Sequence, residues 1–392
     1  MGETVIVSAV RTPTGKFLGA LKSFTAPQLG ARAVAEAVRR AGIDPAIVDE
    51  CIMGNVVSAG LGQNPARQAA LRGGLLDDVA AVTVNKVCGS GLKAVMLADQ
   101  AIRTGDIDVA VAGGMESMSN CPYLMRRVRE GLRMGNAEVL DAMIIDGLWC
   151  AFENVHMGTA GEVVAERYQI AREAQDAYAA LSHQKAAKAT ADGSFRDEIL
   201  PISIAQKHRD AIVIDRDEAI RADTTADSLA ALKPAFRSDG SVTAGNAPGV
   251  NDGASCVIVC SEEFAERRGL EPLATIVAQG YVADEFAYLA RTPARAGAVA
   301  LGKAGKSVAD VKRVELNEAF ASVAFNSAQL LGADEEIVNV NGGAIALGHP
   351  IGASGGRILA TLVHELRREG GGLGLAAICS GGGQGDALLL EV

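Results

Sequence analysis

Residues 84–95 of the chain read Val84-Asn85-Lys86-Val87-Cys88-Gly89-Ser90-Gly91-Leu92-Lys93-Ala94-Val95. The apolar residues before Cys88 predict the end of a strand, and the apolar spacing after it predicts a helix that ends near Gly105. The Gly-Ser-Gly turn places a thiol at a helix N-terminus, where unpaired N–H groups favour an anion. A thiolate is such an anion and a nucleophile, whereas a free cysteine is more often a small buried hydrophobe. This stretch alone leaves both interpretations of Cys88 open.

The same order of strand, turn and helix recurs in the C-terminal part of the chain. Predicted strands at 4–10, at 51–55, before Cys88 and at 109–112 have counterparts at 273–278, 314–317, 337–341 and 373–379. We therefore predict an α/β fold of two duplicated βαβ-type halves, with parallel or mixed sheets covered by helices. Ligands of such folds gather beyond the carboxyl ends of strands. The residues at or just past these ends are Cys88, Asn317, His349 and Cys379.

The middle of the chain breaks this pattern with polar helical stretches and irregular segments rich in Met and Gly. We predict a first half at 1–119 that is completed by 250–270, an inserted loop domain at 120–249 and a second half at 271–392. Segments of this size outside a core are often lids or oligomer contacts.

Composition narrows the class of protein. The 392 residues carry a formal net charge of −10, and 49% of them are hydrophobic. The acidic balance disfavours nucleic acid as a partner, although two basic clusters, 126–133 and 207–209, are either local anion sites or solvated surface charge. Seven cysteines without a CxxC pair argue against a disulfide framework and favour a reducing compartment. No signal peptide and no membrane span are expected, so the prediction is cytoplasmic.

His349 is the candidate base. It lies between glycines at a predicted strand-to-helix turn, and it is one of only five histidines. Such a histidine can activate a cysteine elsewhere in the fold. The alternative is a core histidine whose ring nitrogens are satisfied by hydrogen bonds.

Four blocks, in chain order, resemble the signature blocks of thiolases: Asn85-Lys86-Val87-Cys88-Gly89-Ser90-Gly91, Asn317-Glu318-Ala319-Phe320, Gly348-His349-Pro350 and Cys379-Ser380-Gly381-Gly382-Gly383. Segments 10–13, 112–119, 243–246 and 251–254 add to the resemblance, which spans the whole chain. It is nearest to the short-chain, acetoacetyl-CoA-forming class, whose loop domain is similar to residues 134–147 and 156–158. The resemblance implies mixed five-stranded sheets in a layered α/β arrangement, an inserted loop domain and a homotetramer built as a dimer of dimers.

The resemblance also implies roles for the candidate residues. Cys88 would carry an acyl group as a thioester, His349 would accept the proton of Cys88, and Cys379 would act as acid and base at the Cα of a second substrate. One oxyanion site would consist of His349 and a water held by Asn317. The other would consist of the backbone N–H groups of Cys88 and Gly381.

For coenzyme A, the resemblance points to Arg221 near the nucleotide and to His156, Met157 and Ala319 along the pantetheine and acyl channel. Core packing is the alternative reading of Met157. Pro248 stands where relatives often have Ser, and it offers neither a hydroxyl nor an N–H. Residues 288–293 also depart from the family pattern, at a segment that borders the acyl pocket in relatives.

The implied activity is that of an acetyl-CoA C-acetyltransferase, a reversible Claisen condensation of two acetyl-CoA molecules within fatty acid metabolism. The alternatives are a 3-ketoacyl-CoA thiolase with a broader chain range and, less favoured, a non-catalytic CoA- or lipid-binding protein. A decarboxylating condensing enzyme is disfavoured by the second cysteine, Cys379. We expect acyl-CoA and CoA as substrates, with no permanently bound cofactor, no metal and no nucleic acid or membrane partner.

Overall fold

The computed structural model describes residues 2–207 and 209–392. The first part of the chain forms β1 (Thr4–Arg11), β2 (Gly15–Lys16), α1 (Ala26–Ala41), β3 (Glu50–Gly54), α2 (Pro65–Arg72), β4 (Ala80–Val84), α3 (Ser90–Thr104) and β5 (Val109–Ser117). The middle forms β6 (Tyr123–Leu124), β7 (Leu140–Asp141), a π-helix (Met143–Leu148), β8 (Trp149–Cys150), β9 (Val155–His156), α4 (Met157–Arg167), α5 (Arg172–Asp192), β10 (Ile202–Gln206), β11 (Arg209–Ile214) and α6 (Ala226–Ala230). The last part forms β12 (Asn251–Ser261), α7 (Glu262–Arg268), β13 (Ala274–Ala283), α8 (Thr292–Lys303), β14 (Arg313–Leu316), α9 (Ala321–Leu331), α10 (Ala344–Leu347), α11 (Ser354–Arg368), β15 (Leu373–Ser380) and β16 (Gln384–Glu391).

The main sheet is mixed and joins both halves of the chain. Its strand order is β4-β3-β5-β12-β1-β13-β16-β15-β14, with β2 added beside β12. Five strands of the first half meet four of the second where β1 pairs antiparallel with the start of β13. The parallel pairs lie at the two ends, β3 with β4 and β5, and β14 with β15. The predicted α/β fold with duplicated halves and mixed sheets is therefore confirmed.

The predicted strand at 337–341 is wrong. Val338 forms only an isolated bridge to Val314 of β14. Asn339, with φ of 44°, then turns the chain, and its side chain bonds both the N–H and the carbonyl of Leu316 at 2.8 Å. An amide side chain thus replaces the ladder that a fifth strand would have formed.

Helices and sheet alternate in layers because side chains alternate along each strand. One face of β1, β3, β5 and β12 packs on α1 and α2. The opposite face packs on α3 and α11, which share a core with β15 and β16 of the second half. The far face of the second half is covered by α8 and α9. The two central helices are therefore buried between the halves, with their N-termini side by side near Gly91 and Gly356.

Residues 118–250 connect β5 to β12, and within their described part they add no strand to the main sheet. The division into domains at 120 and 249 stays a prediction. Of the basic clusters, the arginines at 126–133 are exposed, and His208 of the second cluster lies outside the described residues. No helix in the described ranges is long and apolar enough to cross a membrane.

Candidate active site

Cys88 lies in a tight turn between β4 and α3 that is held by its own hydrogen bonds. The N–H of Lys86 donates to Ser90 Oγ at 2.8 Å, and that hydroxyl donates to the carbonyl of Val87 at 2.6 Å. Val87 has φ of 48°, a left-handed conformation that is unfavourable for a β-branched residue. Strain of this kind persists only where the surroundings over-determine it, and it clusters at functional sites. The turn therefore holds the thiol in a defined place.

Cys88 is partly buried and lines a cavity. Burial raises the pKa of Cys88 to about 12, and the nearby carboxylate of Glu116 raises it further. The backbone N–H groups of Gly381 and of Cys88 itself act in the opposite direction by hydrogen bonding. The family resemblance implies that these two N–H groups form an oxyanion site, and both donate towards the thiol. With so high a pKa, the thiol needs a base to become a nucleophile.

His349 has the protonation state and the geometry that such a base requires. Burial, aided by the charge of Arg357, lowers the pKa of His349 to about 3, so the ring is neutral at physiological pH. Its Nδ1 lies 2.6 Å from Ser354 Oγ, and this hydroxyl donates its one hydrogen to the carbonyl of Pro350 at 2.9 Å. Nδ1 must then carry the ring hydrogen, which leaves a lone pair on Nε2. Among the described residues Nε2 has no hydrogen-bond partner, as expected of a base that faces a substrate.

His349 is placed by the loop that precedes it. Gly348 has φ of 110°, and a Cβ there would lie 2.6 Å from Thr14 and 2.7 Å from Asn251. The backbone N–H of His349 donates to the side chain of Asn251 at 2.9 Å. Only glycine at 348 permits this approach, so the imidazole is aimed by β12 of the first half.

Cys379 comes at the end of β15 and is 2% exposed. Burial raises its pKa well above the ordinary range, and the charge of Cys88 raises it further. An ionised Cys88 therefore disfavours ionisation of Cys379. Cys379 packs against Ala319 and Leu289. The raised pKa keeps the Cys379 thiol protonated at rest.

Asn317 follows β14 and is 1% exposed. Its backbone N–H donates to Ala377 at 3.0 Å, but neither atom of its side-chain amide has a partner within the part of the chain that the structure describes. An unpaired buried amide is costly. An amide left free beside the strand ends fits the predicted role of holding a water at an oxyanion.

One cavity of about 390 Å³ brings most of the predicted residues together. The predicted residues on its wall are Cys88, His156, Met157, Ala319, His349, Cys379 and Gly381. Two predicted residues are not on this wall. Asn317 is buried directly after β14, and Arg221 is exposed, with its guanidinium 3.0 Å from His183 Nε2.

Sequence reasoning assigned no role to Glu116, a carboxylate inside the buried strand β5. It accepts hydrogen bonds from Asn55 Nδ2 at 2.9 Å and from the N–H groups of Val56 and Gly352 at 3.0 Å. Burial raises the pKa of Glu116 to about 7 against these bonds. Glu116 thus ties the loop after β3 to the loop after His349. An acidic residue in an otherwise apolar strand was the available signal.

The remaining wall of the cavity is largely apolar, and it includes Phe236, which sequence reasoning did not single out. The ring of Phe236 stacks on His156 with centroids 4.9 Å apart. His156 Nδ1 accepts the N–H of Gly158 at 3.0 Å and so caps α4. Pro248 and Leu289, from the two segments that depart from the family pattern, also line the cavity.

Comparison with known proteins agrees with this arrangement. Residues 4–263 match the family model described as the thiolase N-terminal domain, and residues 270–392 match that of the thiolase C-terminal domain. An acetyl-CoA acetyltransferase of Pseudomonas aeruginosa is 52% identical over 390 residues, covering 100% of this chain and 99% of the relative. One from Cupriavidus necator is 50% identical over 391 residues, covering 100% of both.

The crystal structure of the Bacillus anthracis acetyl-CoA acetyltransferase superposes with a TM-score of 0.97 at 43% identity, covering 100% of this chain and 99% of the other. The two family models together span nearly the whole chain, and the fold agrees with that of the solved relative over its full length. The chain belongs to the thiolase family.

Proposed function

We propose that the protein is an acetyl-CoA C-acetyltransferase, which condenses two acetyl-CoA molecules to acetoacetyl-CoA and CoA and runs thiolysis in reverse. The observation that carries the proposal is one cavity that holds two thiols, a neutral imidazole with a free Nε2 and the N–H of Gly381. Relatives with about half of their residues identical over the full chain carry that name.

In the first half-reaction, His349 Nε2 takes the proton of Cys88. The thiolate attacks the carbonyl carbon of acetyl-CoA, and the bond from that carbon to the sulfur of CoA breaks. The departing CoA thiolate takes a proton from Cys379, so that the acetyl-enzyme holds a Cys379 thiolate and an imidazolium. A cysteine is a strong nucleophile or base only as the thiolate. In this order Cys88 acts as the nucleophile and Cys379 becomes the base for the second half-reaction.

In the second half-reaction, the Cys379 thiolate removes a Cα proton from a second acetyl-CoA. The carbanion attacks the Cys88 thioester and forms the new carbon–carbon bond. The bond from the carbonyl carbon to Cys88 then breaks, and the imidazolium returns its proton to Cys88. Acetoacetyl-CoA leaves, and the two thiols and the imidazole regain their resting protonation.

Two thioester oxygens gain negative charge in this sequence. We assign the oxygen of the second acetyl-CoA to His349 Nε2–H and a water held by Asn317. The oxygen of the acetyl-enzyme is assigned to the N–H groups of Cys88 and Gly381. Loss of one such donor costs on the order of 10²–10³ in kcat.

The substrate contacts are part of the proposal. His156, Met157 and Ala319 contact the pantetheine and acyl group, which their position on the cavity wall supports. Arg221 contacts the nucleotide, which its exposed guanidinium outside the cavity supports. We further propose a cytoplasmic homotetramer, built as a dimer of dimers, that acts in fatty acid metabolism on CoA thioesters without a permanently bound cofactor.

The test is a profile of initial thiolysis rates against acyl-chain length, from acetoacetyl-CoA to a long-chain 3-ketoacyl-CoA. We expect the highest kcat/KM for acetoacetyl-CoA, because the buried side chains of Leu289 and Ala319 line the cavity and cluster with Cys379, which leaves less room for a long acyl chain. Equal or better use of the long chain would favour a 3-ketoacyl-CoA thiolase of broader range. No turnover, with CoA binding retained, would favour a non-catalytic binding protein.

Mass spectrometry of the intact protein after mixing with acetyl-CoA tests the chemistry directly. We expect one acetyl adduct, located on Cys88. The Cys88→Ala variant should show no adduct and lose roughly 10⁴–10⁶ in kcat, while Cys260→Ala, a buried cysteine of β12 remote from the cavity, should behave as wild type. An adduct that persists in Cys88→Ala contradicts the assignment.

A further inference from the structure

A buried ion pair joins the Cys88 turn to the opposite half of the molecule. Lys86 Nζ lies 2.6 Å from Asp386 Oδ1. The side chain of Asp386 is fully buried and that of Lys86 is 16% exposed. Lys86 belongs to the turn before α3, whereas Asp386 belongs to β16, exactly 300 residues later in the chain. The pair therefore spans the boundary between the two halves next to the nucleophile.

The pair is part of a wider contact between the turn and the hairpin of β15 and β16. Val87 packs on Gly381, where an added Cβ would lie 3.2 Å from the valine methyl group. A Cβ at Gly89 would lie 2.4 Å from Ser380 Oγ and 2.7 Å from Asp386 Oδ2. The residues on either side of Cys88 thus rest on the strand end that supplies Cys379 and the N–H of Gly381.

Lys86 supplies the ion-pair partner of the buried Asp386 carboxylate. Asp386 Oδ2 has no hydrogen-bond partner within residues 2–207 and 209–392, and neither has the neighbouring Ser380 Oγ. Lys93 contributes a more distant positive charge, but its ammonium lies over the ring of Tyr281 at 5.2 Å from the centroid. Removing Lys86 would leave a buried carboxylate without its bonded counter-charge, which is strongly unfavourable.

We propose that Lys86 and Asp386 are positioning residues that hold Cys88 at a fixed distance from the Gly381 N–H and from Cys379. The inference rests on the proposed function of that site and names residues to which nothing above gave a role. Neither residue lines the cavity that holds the two thiols and His349. The pair acts through the backbone of the turn, because an oxyanion donor is effective only within about 2.7–3.1 Å of the developing charge.

The first experiment compares acetoacetyl-CoA thiolysis in Lys86→Met, Lys86→Arg and Lys93→Met. We expect Lys86→Met to lower kcat by about 10²-fold, since a misplacement near 1 Å costs that much, with KM changed less than about threefold. Lys86→Arg, which keeps the bonded charge, should recover most of the loss. Lys93→Met is the matched control and should behave as wild type, because it removes a lysine of the same neighbourhood that makes no ion pair with Asp386.

The second experiment measures the rate at which iodoacetamide labels Cys88, read by peptide mass, and it needs no turnover. Lys86→Met should label more slowly. Asp386→Asn separates two explanations, because removal of a negative charge alone would favour the thiolate and speed labelling. Displacement of the turn from the Gly381 N–H would slow it. We expect slower labelling in Asp386→Asn.

Faster labelling in Asp386→Asn, unchanged kcat in Lys86→Met, or an equal loss in Lys93→Met would each overturn the proposal. So would a loss of kcat that tracks a loss of folded protein in thermal unfolding of all three variants of the pair, because the pair would then serve folding alone. An inactive wild type whose labelling still responds as expected would reject the proposed function and leave the positioning role supported.

Discussion

At the scale of single residues, the site consists of groups that are all neutral at rest. Burial raises the pKa of both thiols and lowers that of the imidazole. Each charge must therefore appear during the reaction and be met by a donor that is already in place. The tautomer of His349 is set by Ser354, whose single hydrogen is committed to Pro350.

Cys379→Ala should separate the two half-reactions. Without this thiol, exchange of the Cα hydrogens of acetyl-CoA with deuterated solvent should fall to background, because no base remains at the second substrate. Acetylation of Cys88 should persist in intact-mass measurements, since His349 remains. Failure of the variant to acetylate would show that the roles of the two thiols have been exchanged.

The pKa of His349 predicts a dependence of stability on pH. Its value in the folded protein is about 3, below the ordinary 6.5, so between these values the unfolded chain binds a proton that the folded protein does not. Stability therefore rises as the pH rises through this window. At pH 5 this effect lowers the free energy of unfolding by about 2 kcal/mol relative to a pH at which His349 is neutral in both states.

The measurement is urea unfolding of wild type and His349→Asn at pH 7 and pH 5. Between these pH values the variant should lose about 2 kcal/mol less of its free energy of unfolding than wild type. The other titrating groups are common to both proteins and cancel in the comparison. Equal losses would mean that His349 is protonated in the folded state at pH 5.

At the scale of elements, α3 follows the Cys88 turn and α11 follows the His349 loop, and the two helices touch through glycines. A Cβ at Gly91 would lie 2.9 Å from the carbonyl of Gly352, and one at Gly355 would lie 2.2 Å from the backbone N of Leu92. Such an approach leaves no room for a side chain. The distance between Cys88 and His349 is therefore set by how closely these two helices pack.

Gly355→Ala tests this packing. The added methyl group must push backbone apart, so we expect a loss of about 1–3 kcal/mol in the free energy of unfolding together with a fall in kcat. Gly302→Ala is the control, since it lies on the exposed side of α8 with no atom within 4 Å of its Cβ position. It should be neutral or stabilising by up to ~1 kcal/mol. Equal effects of the two changes would rule out helix packing as the cause.

At the scale of the whole molecule, the two family domains share one core and one sheet. Side chains of α3 pack with those of α11, β15 and β16, and β1 pairs with β13 across the boundary. Cys88 comes from one half, whereas His349, Cys379 and Gly381 come from the other. The site exists only where the halves meet.

It follows that residues 270–392 should not fold alone, although they match a family domain of their own. Separated from α3, the helix α11 would expose a face that is fully buried in the whole chain, including Ile358, Leu359 and Leu362. We expect the isolated fragment to lack cooperative thermal unfolding by circular dichroism, with the full chain as the control. A cooperative transition in the fragment would contradict a shared core.

The amino-acid sequence by itself determined the class of fold and most of the chemistry. Periodic apolar strands and glycine turns predict the repeated halves, and the blocks around Cys88, His349 and Cys379 indicate a thiolase because they resemble the signature blocks of that family. The same reasoning failed at 337–341, where the bonds of Asn339 replace a strand, and it assigned no role to Glu116 or Phe236. These contacts join residues far apart in the chain, and a local sequence pattern does not indicate which distant residue a side chain will contact.

Only the tertiary structure decided the distances and the electrostatics. The contact with Ser354 leaves the lone pair of His349 on Nε2, and burial raises the pKa of both thiols. Lys86 and Asp386 join the Cys88 turn to the hairpin of β15 and β16. Proton affinity depends on the solvent and charges that surround a group, and those surroundings come from every part of the fold at once. The residues of the reaction can thus be named from the chain, whereas their protonation and spacing arise from the packing of its two halves.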